Sequence, residues 1–98
     1  MSLLQLKAME LTAALRAQGM RAVLQAPGQE TGIALGARFL RGSIESSCYI
    51  VKQEMLSYLM HGGGFIPTYL SVQVHPEGNC IRVRFMQSFE DNPLHNHP

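Results

Sequence analysis

Residues 68–86, TYLSVQVHPEGNCIRVRFM, decide the fold, because they spell a β-hairpin with one dry face and one polar face. Leu70, Val72 and Val74 alternate with Tyr69, Ser71, Gln73 and His75. After the turn Pro76-Glu77-Gly78-Asn79, Ile81, Val83 and Phe85 alternate with Cys80, Arg82, Arg84 and Met86. Alternation with a period of two is the signature of a half-buried strand, and the Pro/Gly/Asn cluster between the runs marks the reversal. Closing the chain around the turn sets His75 opposite Cys80, so Val74 faces Ile81, Val72 faces Val83 and Leu70 faces Phe85. A slip by one residue would bury both arginines, so this register is strongly specified.

Upstream of the hairpin, Ser43 is placed to cap a helix in which Ile44, Cys48, Val51, Met55 and Leu59 recur at helical spacing. Gly62-Gly63-Gly64 stops it and is expected to be flexible. At the start of the chain, Ser2 followed by Gln5 matches a capping box, and Leu4, Ala8, Leu11 and Leu15 predict a helix from Leu3 to Gln18 that ends at Gly19. Between the helices, Met20 to Ala26 reads as a short strand, Pro27-Gly28-Gln29-Glu30 as a turn, and Thr31 to Arg41 as a longer strand. Strict alternation in the longer strand puts Ile33, Leu35, Ala37 and Phe39 inward and Arg38 outward. Its glycines, Gly32 and Gly36, predict a bulge or a close approach of another backbone.

The order αββαββ therefore predicts a two-layer α+β domain: an antiparallel four-stranded sheet with both helices on one face. The same string is what a ferredoxin-like βαββαβ chain would read if its first strand moved to the end, a resemblance of topology that implies no function. Residues 1–87 are expected to form a single domain and residues 88–98 a flexible, polar C-terminal tail.

The chain has 98 residues, a formal net charge of +1 and dispersed basic residues, which gives little support to bulk electrostatic capture of nucleic acid. A domain of this length balances apolar burial closely against ordering entropy, so further burial in a homodimer would help it. No apolar run approaches a membrane span, and the first residues lack a basic leader followed by a hydrophobic stretch, so a membrane or secretory role is not expected. Two cysteines, Cys48 and Cys80, fit a reducing, cytoplasmic setting better than a disulfide scaffold. Cys48 falls on the apolar stripe of its helix, whereas Cys80 falls on the wetter hairpin face with a partly exposed thiol.

Several local patterns resemble catalytic motifs and fail on context. His61-Gly62-Gly63-Gly64 resembles the oxyanion-hole motif of lipase-type esterases, but no G-x-S-x-G nucleophile elbow accompanies it and the chain is too short for that fold. As a phosphate loop the same glycines follow a helix, where the dipole has the wrong sign. Of the histidines, His61 and His75 are isolated and His95 and His97 sit in the tail, so no metal or cofactor is expected. His75 opposite Cys80 is the best local pair for a small metal- or thiol-dependent enzyme, although no third group orients the histidine. Ser46 and Ser47 read as polar helix-end residues.

The outward face of the sheet carries the sharper signal. Arg38, Arg82 and Arg84, with Tyr69, Gln73 and Met86 among them, read as a platform for an acidic protein partner, because a guanidinium fork holds a carboxylate in two places at once. The sequence thus predicts a non-enzymatic interaction protein, homodimeric, that presents an arginine-bearing sheet face or a strand edge through Arg38, Arg82, Arg84, Tyr69 and Gln73. The alternative is a nucleic-acid-binding module in which the same arginines hold phosphate and Tyr69 stacks on a base.

Overall fold

The computed structural model describes residues 2–91 as a four-stranded sheet backed by two helices. Helix α1 spans Leu3–Ala17 and helix α2 spans Ile44–His61. Each begins at the expected cap: the Ser2 side chain accepts from the Gln5 N–H, and the Ser43 side chain from the Ser46 N–H. Strands β1 (Ala22–Leu24), β2 (Ile33–Leu40), β3 (Tyr69–Val74) and β4 (Ile81–Gln87) form one sheet in the order β1-β3-β4-β2. A 3-10 turn covers Phe89–Asp91; the remainder of the predicted tail, with His95 and His97, lies outside the described residues.

The hairpin has the predicted register, with Val74, Val72 and Leu70 opposite Ile81, Val83 and Phe85. Those side chains form the floor of the core. Ala8, Leu11 and Leu15 of α1 and Cys48 and Val51 of α2 close it from above. The Tyr58 and Phe85 rings meet at a centroid distance of 5.5 Å, which seats the second half of α2 on β4.

The sheet is mixed, not antiparallel as expected. β1 runs parallel to β3, held by the Leu70 N–H on the Arg21 carbonyl at 2.8 Å and the Gln25 N–H on the Val72 carbonyl at 3.0 Å. A permuted ferredoxin-like sheet would pair β1 with β2. Here they occupy opposite edges, because the turn at Gly19 (φ +86°) folds β1 directly back under α1 and beside β3. The connection through residues 25–32 must then traverse the sheet. Three strand spacings amount to about 14 Å, well within the reach of eight residues.

The side-chain assignment of β2 also departs from strict alternation. The register shifts between Ala34 and Gly36, leaving Leu35 as the extra residue of a β-bulge. Past it, Gly36, Arg38 and Leu40 oppose Phe85, Val83 and Ile81 and so face the helices, while Ala37 and Phe39 oppose Arg84 and Arg82 on the outer face. Arg38 therefore does not share a face with Arg82 and Arg84. The bulge that the glycines foretold inverts everything downstream of it. The close backbone approach falls at Gly32, where a Cβ would overlap the Gln87 carbonyl, while at Gly36 it is a side chain, the Tyr58 hydroxyl, that leaves no room for a Cβ.

Candidate functional site

The outer face of the hairpin is occupied by the chain itself. Residues 25–32 cross it on the way from one edge to the other, held by Tyr69, Gln73 and Arg84, with Arg82 bonded to Gln73. The Tyr69 hydroxyl donates to the Thr31 carbonyl at 2.8 Å and accepts from the Thr31 N–H at 3.1 Å. Gln73 is fully buried; its Nε2 donates to the Glu30 carboxylate and, at 3.0 Å, to the Ser71 hydroxyl. Its Oε1 accepts from Arg82 Nε at 2.9 Å and also from Arg82 Nη2. Arg84 Nη1 lies 3.4 Å from the same Glu30 oxygen.

Glu30 is the hub of this network. Its side chain is only 5% exposed, and its second carboxylate oxygen accepts from the Gly28 N–H at 3.0 Å. Burial by itself raises the carboxyl pKa, but the hydrogen bonds from Gln73 and the backbone amides of Glu30 and Gly28, with the Arg84 charge, outweigh it and hold the group below its ordinary value. A buried anion with donors on three sides is a closed, satisfied arrangement. Glu30 was legible only as a turn residue. The shortness of the Met20 to Ala26 segment was the one available sign that the following loop had work beyond a hairpin turn.

Arg38 stands elsewhere, on β2 at the sheet edge, where it pairs with Glu54 of α2 at 2.8 Å while remaining half exposed. Beside this pair, Glu54, Ser57, Tyr58, His61 and Gly62 line a cleft of about 320 Å³. Burial, aided by the Glu54 charge, pushes the Tyr58 hydroxyl pKa up, so that it remains a neutral donor.

Among the described residues, no strand pairs with the far side of β2. The His75 N–H donates to the Cys80 carbonyl at 2.8 Å, so the backbone groups of Cys80, and by alternation those of Arg82 and Arg84, point toward β3. Ile81, Val83 and Phe85 therefore turn theirs toward β2, where they oppose Leu40, Arg38 and Gly36. The N–H and C=O groups of Ala37 and Phe39 consequently point out of the free edge. That edge runs for eight residues without proline or lysine, whereas β1 on the opposite edge has three residues.

The remaining candidates separate on geometry. Cys80 is buried, 2% exposed, and not partly exposed as expected, because the side of the hairpin it occupies is covered. The His75 Nδ1 accepts from the Glu77 N–H at 3.2 Å, and its ring packs edge-on against Phe39. Burial pushes the Cys48 thiol up, which suits a core residue. Among the described residues, no three His, Cys, Asp or Glu side chains converge to hold a metal ion, and no helix is long and apolar enough to cross a membrane. The triple-glycine segment is tied rather than loose: the Gly62 N–H caps α2 on the Tyr58 carbonyl, and Gln87 Nε2 donates to the Gly64 and Ile66 carbonyls at 3.0 and 3.1 Å. Gln87 continues the inward parity of Ile81, Val83 and Phe85, and an amide at an inward position was the available signal for this clamp.

No protein-family model, curated protein or solved structure matches the chain.

Proposed function

We propose that the protein is a non-enzymatic interaction module that takes an extended segment of an acidic protein partner as a fifth strand on the free edge of β2. The observation that carries this reading is the outward direction of the Ala37 and Phe39 backbone groups along an eight-residue edge. Strand addition gains affinity from main-chain hydrogen bonds and specificity from pockets that receive alternate side chains. The cleft beside Arg38 and His61 lies where alternate residues of an added strand would point, and the half-exposed Arg38 guanidinium favours a carboxylate there. Phe39, 52% exposed on the opposite face of the same edge, offers an apolar contact to the intervening residues.

In this reading the partner-facing residue of the arginine set is Arg38. Arg82, Arg84, Tyr69 and Gln73 act indirectly, by holding the crossing that carries the chain to β2.

The test is a panel of extended acidic and basic peptides titrated against the protein, read by fluorescence anisotropy and by hydrogen exchange of the β2 amides. Acidic peptides should bind and protect the Ala37 and Phe39 amides, and Ala37→Pro, which removes an outward donor while sparing the ladder to β4, should abolish binding. Binding that survives Ala37→Pro, or protection confined to β3 and the crossing, would reject the edge as the site.

A further inference from the structure

The helical layer carries a second surface, separate from the β2 edge. On α2, Tyr49 and Met60 are 66% and 74% exposed and form one stripe with Leu56 pointing away from the sheet, while Leu59, spaced with Met55 on the apolar stripe, is exposed on its flank. On α1, Leu3 (83% exposed) and Leu6 continue it across the cleft that both helices share with Ser43 and Ile44. At roughly 200 Å² for a large side chain fully exposed, these six residues present about 700 Å², close to the roughly 800 Å² that each partner contributes to a standard interface. That much exposed apolar side chain on one layer is large for a monomer.

The charges on this surface are self-complementary. Glu45 and Lys52 flank Tyr49 on the same face of α2, one turn to its N-terminal side and one to its C-terminal side. If two α2 helices lie antiparallel with a two-fold axis beside Tyr49, Glu45 of each copy meets Lys52 of the other, and the ion pair forms twice. The same placement carries Leu56 and Met60 past the start of the opposing α2, onto the cleft whose apolar lining is Leu3, Leu6 and Ile44, with Lys7, Glu10 and Ser43 at its sides. Projecting apolar side chains on one half of the surface thus face a receiving cleft on the other, as an isologous contact requires.

We propose that a second copy of this chain docks on the helical layer, as a two-fold dimer with Tyr49 at the axis, Glu45 paired with Lys52 across it and the Leu56/Met60 end seated on Leu3 and Leu6. The dimer leaves both β2 edges open, so it stands or falls independently of the strand-addition reading.

Sedimentation equilibrium of the full chain tests it. The wild type should be dimeric. Leu56→Asp combined with Met60→Asp should be monomeric with an unchanged circular-dichroism spectrum, since both positions face solvent in the single chain. Glu45→Lys or Lys52→Glu alone should weaken the dimer about tenfold, and the two reversals together should restore it. Within one helix these residues are two turns apart, so the restoration has no intrachain origin. Tyr49→Cys should yield a disulfide-linked dimer on oxidation. A monomer at every concentration, a double reversal that restores nothing, or a dimer abolished by Ala37→Pro and indifferent to the helical substitutions would overturn the proposal.

Discussion

Replacing Glu30 with Gln tests whether the crossing is held by a buried charge or merely by chain connectivity. The carboxylate receives Gln73 Nε2, the Gly28 N–H and, at 3.4 Å, Arg84. Hydrogen bonds to a charged acceptor contribute about 1.5–3 kcal/mol, whereas the Arg84 pair, with a guanidinium 35% exposed, adds under about 1 kcal/mol. The amide retains one acceptor but turns an N–H toward Gly28 or Gln73, so a loss of about 2 kcal/mol is expected. The pH dependence has a definite sign. Because the folded carboxyl lies below its ordinary value, its contribution is complete above the ordinary value and fades as pH falls through the lower folded one. Urea unfolding from pH 7 to pH 3 should therefore show the wild type losing stability below about pH 4.5 and Glu30→Gln lacking that component. Hydrogen exchange should locate the change at the Thr31 and Ala26 amides. A variant as stable as wild type at pH 7, with an unchanged acid limb, would refute the role assigned to Glu30.

Three further substitutions probe the supports around it. Tyr69→Phe removes both hydrogen bonds to Thr31 and should cost about 1 kcal/mol with faster exchange of the Thr31 amide, measured by NMR. Gly36→Ala forces a Cβ onto the Tyr58 hydroxyl and should cost about 1–3 kcal/mol in thermal or urea unfolding, and Tyr58→Phe in the same chain should recover most of it. Gln87→Leu strips the donor from the Gly64 and Ile66 carbonyls; a loss of about 1–3 kcal/mol and exchange confined to residues 62–68 are expected, and uniform exchange over β4 would point instead to a packing defect.

What was legible in the sequence was what local physics determines. The hairpin register follows from two alternating runs and a turn of fixed length, so Val72 meets Val83 without any tertiary information. The caps at Ser2 and Ser43 follow from orphan amides at helix starts, which a nearby hydroxyl satisfies wherever the helix goes. The edge at which β1 settles was not legible, because three residues carry too little pattern to choose a neighbour. That choice belongs to α1 and Gly19. The position of Arg38 turns on a single residue: the glycines predict a bulge in β2 but strict alternation runs through it, and one inserted residue exchanges the two faces of everything beyond.

A separate limit of alternation explains why the outer face reads as a platform. Alternation reports which side chains leave the core, not whether solvent or another part of the chain receives them. Ser71, Gln73, Cys80 and Met86 lie on the outer face and are as buried as the core, because a sheet whose first and second strands sit at opposite edges must be crossed by the chain between them. Arg84 and Gln73, the latter oriented by Arg82, form a carboxylate receptor, and Glu30 of the same chain fills it. An external acidic segment would have to displace a ligand attached by a short tether, whose effective concentration is of millimolar order. Among the described residues, the backbone groups that face outward along β2 carry no such competitor. For that reason the strand addition proposed here is assigned to the edge rather than to the arginine face.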